Sequence, residues 1–433
     1  MTTQIFIEKY GLNADYSTFE RELNSFVADM NQGLMGADSS LKMIPTYISL
    51  DNVPASNGEK VIVIDAGGTN LRVGLATFDE TGKPSIVDMQ VYPMLGTTGA
   101  ITVSEFFEGL AEYLAPYADK SDKIGFCFSF PCEILPNMDG KILLFNKEVK
   151  ISGASGQLLG EGIRAALKAK GLPCNHSVVI INDTVATLLG GKADSAHRQF
   201  ESYIGYILGT GTNTCYVEKN EYITKNETLR TKDGWSLINM ESGGYGRMNR
   251  TSVDIAFDLT TDAPNTQWLE KMISGAYQGG LLLAYLKKAA QEGVFAQDTA
   301  AKILSLDELK AKEIDEFCYY PYADGKLARL CESEEEKQDL YKIIDAFFNR
   351  AAMMTVVNLA GVMVKTKTGN NPLMPVCITA DGSTFYKSKL LNEKIRYLMV
   401  DYVQNRLGIY SEFKSVENVT LVGTAFAALI GGR

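Results

Sequence analysis

Val61, Ile62, Val63 and Ile64 form an unbroken apolar run between Lys60 and Asp65. A run this short, ending in turn-formers, fits a strand buried on both faces. The cluster Asp65-Ala66-Gly67-Gly68-Thr69-Asn70 follows, and then Leu71, Val73 and Leu75 alternate with Arg72, Gly74 and Ala76. The pattern reads strand, glycine turn, strand. It recurs at Ile204 to Leu208, the turn Gly209-Thr210-Gly211-Thr212-Asn213, and Thr214 to Glu218, so that Gly68-Thr69-Asn70 matches Gly211-Thr212-Asn213. Two like hairpins in two halves of one chain point to two related units gripping one ligand. Paired glycines let backbone N–H groups converge on an anion with no Cβ in the way. This is not a Walker A loop, because the G-K-[ST] ending is missing and a strand follows.

The remaining pattern alternates strands and helices. Phe19, Leu23, Phe26 and Met30 recur at helical spacing behind Ser17-Thr18-Phe19-Glu20, which reads as a capping box. Residues 41–50, with Pro45, read as a connector, 86–94 as a third strand and 103–113 as a helix. Lys123 to Phe128 reads as a buried strand ending in Ser129-Phe130-Pro131, where proline stops the ladder and leaves Ser129 at an open strand end. Residues 141–145 read as a strand running into Asn146-Lys147, and 158–170 as a helix. Val178 to Ile181 passes into Asn182-Asp183-Thr184 and a helix, with polar groups at a strand's carboxyl end, where open α/β sheets bind ligands. A plain helix N-cap explains the same triplet equally well. Ser236 to Ser242 reads as a strand carrying Glu241, and a helix beginning near Trp268 carries Glu270. Residues 280–364 are helix-rich, with Ser333 and Glu336 as a capping box at a solvated acidic helix start. Val376 to Asp381 leads into the turn Gly382-Ser383, and the chain ends from Leu421 in a short apolar helix.

Composition narrows the class. The 433 residues suffice for two domains with substantial cores. Forty-two basic against 52 acidic residues give a net charge of −10, which argues against a nucleic-acid binder. The seven cysteines form no C-x-x-C pair and read as reduced thiols of a cytoplasmic protein. The N-terminus has no secretory pattern. The longest apolar run, 351–364, is broken by Thr355 and Asn358 and is too short to span a bilayer, so no membrane partner is expected. His176 and His197, the only histidines, read as surface or loop residues, so a general base would have to be a carboxylate. Asp65, at a strand end, is placed to orient Mg²⁺ through water, since that ion usually keeps several waters.

Several of these motifs occur in the order found in eukaryotic-type hexokinases, a family of the actin-like sugar kinase superfamily, and the chain resembles that family over roughly residues 41–430. They are Ile64-Asp65-Ala66-Gly67-Gly68-Thr69-Asn70-Leu71-Arg72-Val73, Phe128-Ser129-Phe130-Pro131-Cys132, Ile181-Asn182-Asp183-Thr184, Leu208-Gly209-Thr210-Gly211-Thr212-Asn213, Glu270-Lys271-Met272-Ile273-Ser274-Gly275 and Asp381-Gly382-Ser383. The resemblance implies an α/β fold of two ribonuclease-H-like domains with a cleft between them. It places 58–184 with 420–433 in the smaller domain, and 1–57 with 185–419 in the larger. It implies transfer of the γ-phosphoryl group of ATP, with Mg²⁺, to the 6-hydroxyl of glucose or a related hexose. The alternatives are a same-fold kinase preferring mannose, fructose or an amino sugar, and a catalytically weak sugar sensor.

By position, the resemblance makes Asp183 the base and Lys147 a charge-neutralising partner. Ser129, Phe130, Pro131, Asn146, Lys147, Asn182, Asp183, Asn213, Glu241 and Glu270 would line the sugar site. Asp65, Gly67, Gly68, Thr69, Asn70, Arg72, Gly209, Thr210, Gly211, Thr212, Gly382 and Ser383 would surround the nucleotide. Trp235, six residues before Glu241, and Trp268, two before Glu270, are expected near the cleft wall. The chain departs from the family's pattern at Asn146 (usually threonine), at Ser242 (usually tryptophan), at Gly280 (usually glutamate) and in the C-terminal glycine-lysine motif.

Overall fold

The computed structural model describes residues 1–49, 58–145, 149–195 and 198–431. Two sheets share one plan. In the first, Lys60–Ala66, Asn70–Phe78 and Pro84–Pro93 form an antiparallel meander, and Lys123–Phe128 and Ser177–Ile181 add in parallel beside Lys60–Ala66. In the second, Ser202–Leu208, Thr212–Lys219 and Trp235–Asn239 form the meander, and Val376–Asp381 and Ser411–Lys414 add in parallel. The doubled hairpin of the sequence is thus one repeat of a doubled five-stranded unit.

The two Gly-Thr-Asn triplets do not occupy equivalent ladder positions. In the first hairpin Asp65 pairs with Arg72, whereas in the second Ile207 pairs with Asn213. The second turn is one residue shorter, so Asn213 stands inside its ladder where Arg72 stands in the other, and Asn70 is left exposed on its turn.

Two helices lie between the sheets. Asp183–Ala193 leaves the first sheet's last strand but packs on the second sheet, while Val419–Gly431 leaves the second sheet's last strand and packs on the first. The helices also pack on each other, and together with Val63, Cys127, Cys215 and Leu237 they close one apolar cluster. Close approach requires glycine. A Cβ on Gly423 would overlap the Ala186 carbonyl oxygen, and one on Gly190 would lie 2.5 Å from the Val419 carbonyl oxygen. A larger, separate core joins the second sheet to the helices, with Glu334–Thr366 through its middle.

Several elements differ from the sequence reading. The 41–50 connector contains a short strand, Ile44–Pro45, at the second sheet's edge, a position that tolerates proline. The strand expected over 141–145 is only Gly140–Ile142, and the chain is irregular from 143 to 145. The long N-terminal helix is capped by Asp15, which accepts from Thr18 N at 2.7 Å, so Ser17 is not the cap. Glu336 is buried instead of solvated, accepting from Ala296 N and the Thr299 hydroxyl. His176 is buried too, with Nε2 2.9 Å from the Ala118 carbonyl oxygen, and His197 lies outside the described residues. The 351–364 run belongs to the 33-residue helix Glu334–Thr366, which is long and apolar enough to cross a membrane, and whose most apolar stretch is 89% buried inside the protein. The C-terminal helix starts at Val419, two residues earlier than expected.

The glycine contacts between the helices give a direct test. Gly423→Ala should cost at least about 1–3 kcal/mol through overpacking. Gly99→Ala, whose Cβ would meet nothing within 4 Å, should change stability by less than about 0.5 kcal/mol. Denaturant midpoints of the two variants check this, and equal midpoints would show that the helix contact carries no constraint.

Candidate active site

Asp65, Cys127 and Ile181 stand abreast on three adjacent parallel strands. Strands are about 4.8 Å apart, so the carboxyl ends of the outer two are separated by about 10 Å. Asn182 and Asp183 follow Ile181 directly at this rim. Asn182 is the N-cap of the helix, its side chain accepting from Thr184 N at 2.9 Å, and Asp183 is the first helical residue, accepting from the same N–H at 2.8 Å. The capping explanation therefore accounts for Asn182 and for Asp183 Oδ1, which also takes the Thr184 hydroxyl at 3.3 Å. Burial raises the Asp183 pKa to about 6, the nearby Asp65 charge adds to this, and the Thr184 donors oppose it. A carboxyl near 6 is matched to accepting a proton near neutral pH.

Asp65 itself is buried and paired. Arg72 and the Thr420 hydroxyl both donate to its Oδ2, and Arg72 also reaches the Thr420 hydroxyl at 2.9 Å. Asp65, expected to orient Mg²⁺ through water, is thus held in a direct ion pair. Among the described residues no group of three or more His, Cys, Asp or Glu side chains is arranged to hold a metal ion. Thr420 went unremarked because the helix start was read two residues late.

The second sheet supplies the facing wall. Asn213 Nδ2 donates to Asn239 Oδ1 at 2.7 Å and to Glu241 Oε1 at 3.2 Å, and Asn239 Nδ2 donates to Glu241 Oε1 at 3.0 Å. Glu241 is held in the left-handed region, with φ 56°, at an intrinsic cost of about 1–2 kcal/mol for a residue with a Cβ. Glu270 accepts from Thr212 N at 3.0 Å. Burial raises the Glu270 pKa, the Thr212 hydrogen bond works against this, and the Glu241 charge adds to it.

Two adjoining cavities join these parts. One of about 230 Å³ is lined by Ser129, Phe130, Pro131, Asn182, Asn239 and Glu241 among others. The second, of about 240 Å³, is lined by Ser129, Asn182, Asp183, Asn213, Glu241 and Glu270 among others. Phe130 is itself buried, its ring 4.9 Å from that of Phe145. The structure thus gathers the expected sugar-site residues Ser129, Phe130, Pro131, Asn182, Asp183, Asn213, Glu241 and Glu270. Asn146 and Lys147 lie outside the described residues.

Gln267 and Asn239, absent from the sequence reading, line the recess too. Asn239 was recoverable, since it lies two residues before Glu241 at the end of a strand. Gln267, the left-handed residue before its helix, carries no local signal.

The expected nucleotide-side residues divide. Gly67 to Asn70 line neither cavity, and a Cβ on Gly67 would meet nothing nearer than the Asn70 carbonyl oxygen at 3.7 Å. The Gly209 carbonyl oxygen accepts from Gly275 N and the Thr384 hydroxyl, both at 2.8 Å, and Thr210 accepts from Ala276 N at 3.2 Å. These bonds tie the Gly209–Gly211 turn to the helix starting at Gly275 and to the Gly382-Ser383 turn. Gly382 has φ 113°, and a Cβ there would overlap the Leu208 carbonyl oxygen. Gly211 differs from the expectation of a phosphate-facing glycine, because its Cβ would lie 2.5 Å from Glu270 Oε2. With Thr212, which holds Glu270, it belongs to the recess of the second cavity. Trp235 also departs from expectation. It starts the strand that ends near Glu241, roughly 20 Å away at strand rise, beside Lys219. Trp268 follows Gln267 and lies under Arg250.

Comparison with known proteins agrees with this fold. Two family models, both described as Hexokinase, match residues 9–193 and 203–430. Hexokinase-2 of Homo sapiens is 30% identical over 405 residues, covering 86% of this chain and 43% of that protein. The chain thus spans less than half the length of that relative. Hexokinase-1 of Schizosaccharomyces pombe is 27% identical over 435 residues, covering 95% of this chain and 87% of that protein. A Schistosoma mansoni hexokinase structure complexed with glucose superposes with TM-score 0.77 at 21% identity, covering 99% of this chain and 100% of that chain. The second family model alone covers more than half of the chain, and the chain belongs to the hexokinase family.

Proposed function

We propose that this chain transfers the γ-phosphoryl group of ATP to the 6-hydroxyl of a hexose, with glucose the leading candidate. The observation that carries the reading is Asp183, its pKa raised to about 6, in one recess with Asn182, Asn213, Glu241 and Glu270. Each hexose hydroxyl both donates and accepts, and amides beside carboxylates match that need. The S. mansoni relative bound to glucose supports the choice of sugar. The cleft would lie between 58–184 with 420–433 and 1–57 with 185–419.

In this reading the sugar's 6-hydroxyl donates to Asp183, which takes its proton as the oxygen–phosphorus bond forms and the bond from the γ-phosphorus to the bridging oxygen of ATP breaks, releasing ADP. Asn213, Asn239 and Glu241, bonded to one another, orient the ring hydroxyls. Gly67 to Asn70, with Arg72, Gly209, Thr210 and the Gly382-Ser383 turn, would hold the nucleotide. Enclosure between the two walls would exclude water, the competing nucleophile. Asp65 offers the hard oxygens that Mg²⁺ prefers, and its charge, one cause of the raised Asp183 pKa, is negative charge that a cation would offset. Bound with the phosphates, Mg²⁺ would neutralise charge developing on them.

Asp183→Asn should lower turnover by about 10²–10⁴ while sugar binding persists. Because the raised pKa leaves Asp183 protonated and unable to accept a proton in acid, kcat/KM of the wild type should fall as pH drops through about 6. A coupled phosphorylation assay over pH with a hexose panel checks both, and full turnover by the folded variant would remove Asp183 from the mechanism.

Gly67→Val, whose new side chain meets open space, should raise the KM for ATP and leave that for sugar near wild type. Gly211→Val should raise the sugar KM as well, because it displaces Glu270. Initial-rate measurements with each substrate varied in turn separate the two.

Sugar binding should change tryptophan fluorescence through Trp268, beside Gln267, and not through Trp235. Titrating glucose into Trp268→Phe and Trp235→Phe should show the signal lost only in the first. A signal lost only in the second would refute the placement of the indoles.

A further inference from the structure

Asn358 is a fully buried amide in an otherwise apolar stretch of the Glu334–Thr366 helix. Its Nδ2 donates to Thr214 Oγ1 at 2.7 Å and lies 3.5 Å from Ser242 Oγ. Those two hydroxyls are 3.0 Å apart, and all three side chains are completely enclosed. Among the described residues, Asn358 Oδ1 has no hydrogen-bond partner. An amide satisfied at one end only is a poor filler for a core, where an apolar side chain of like volume would be less costly. Its presence calls for a reason beyond packing.

The reason lies one residue away in the chain from each hydroxyl. Thr214 follows Asn213, and Ser242 follows Glu241. Asn213 Oδ1 accepts from both backbone N–H groups, Thr214 N at 2.7 Å and Ser242 N at 3.2 Å. Glu241 is held left-handed between Asn239 on the strand and the enclosed Ser242. Asn358 Nδ2 tethers both hydroxyls, donating to Thr214 Oγ1 and reaching Ser242 Oγ, while the two hydroxyls share a hydrogen bond in which either can donate. The amide thus fixes the hydroxyl pair that anchors Ser242, and the anchor keeps Glu241 in its strained conformation.

We propose that Asn358 is a positioning residue for the sugar site, acting through Thr214 and Ser242 to hold the Asn213–Glu241 pair. The proposal rests on the hexokinase reading of that recess. Asn358→Leu should raise the sugar KM about tenfold or more, leave the KM for ATP within twofold, and leave thermal stability equal or higher. Thr214→Val, which keeps the shape and removes the acceptor, should raise the sugar KM likewise, and Thr214→Ser should keep it near wild type. Combining Asn358→Leu with Ser242→Ala should give less than the product of the single effects, because both remove one network. A sugar KM within twofold of wild type in both Asn358→Leu and Thr214→Val overturns the proposal. So does a multiplicative double variant, or equal rises in both KM values. Should Asn358→Leu fail to fold, the Thr214 pair alone decides by the same criteria. A wild-type protein that phosphorylates no hexose would instead overturn the functional reading, and calorimetric titration with glucose would then test the positioning claim on binding alone.

Discussion

Contact between the helices Asp183–Ala193 and Val419–Gly431 is the constraint on which the rest depends. Each leaves one sheet and packs on the other, so the pair stitches the two halves together. The stitch is tight because glycines replace side chains where backbones meet. Gly423 faces Ala186, Gly190 faces Val419, Gly125 faces Thr424 and Gly205 faces Thr184, each against a carbonyl oxygen. A rigid close contact with few side-chain rotamers transmits position well, because packed interiors do not deform continuously. Thr420, near the start of one helix, bonds Asp65 on the first sheet, so the same contact sets part of the site.

The electrostatics follow from this geometry. Asp183, Glu241 and Glu270 come from separate stretches of chain and line one recess, Asp65 acts on Asp183 from beside it, and the Asp183 and Glu270 carboxyls are pushed upward. Among the described residues, Arg72 pairs with Asp65, Lys42 lies 3.9 Å from Glu241, and the Lys271 charge acts on Glu270. Crowded carboxylates are unfavourable for folding and useful for chemistry, since they place a base near neutrality and invite hydroxyl donors and cations. The left-handed Glu241 adds backbone strain at the same place. Raised carboxyl pKa values and a left-handed backbone at one recess are the kind of cost that functional sites carry.

Much of this was legible in the sequence for identifiable reasons. Buried parallel strands announce themselves as apolar runs, so Val61–Ile64 and Val178–Ile181 were plain. Glycine turns at their ends located Gly67 and Gly209. What sequence could not carry was direction. Gly211 and Gly67 look alike as letters, yet a Cβ on the first points at Glu270 and on the second at open space. The shorter second turn shifts Asn213 into the ladder, which no local pattern reveals. Gln267, His176 and Glu336 were missed or misread because their roles depend on partners distant in the chain. Asn358 appeared only as a break in an apolar run, and its meaning came from Thr214 and Ser242, more than a hundred residues away.

Asp183 is also where the two halves meet. Its strand, Ser177–Ile181, belongs to the first sheet, and its helix packs on the second. Asp183 therefore sits on the crossover itself, while Asn213, Glu241 and Glu270 ride with the second sheet and Asp65 and Ser129 with the first. The polypeptide crosses between sheets directly after Ile181, and the first side chains past the crossing are Asn182 and Asp183, so the recess is bordered by both sheets through one short stretch of chain.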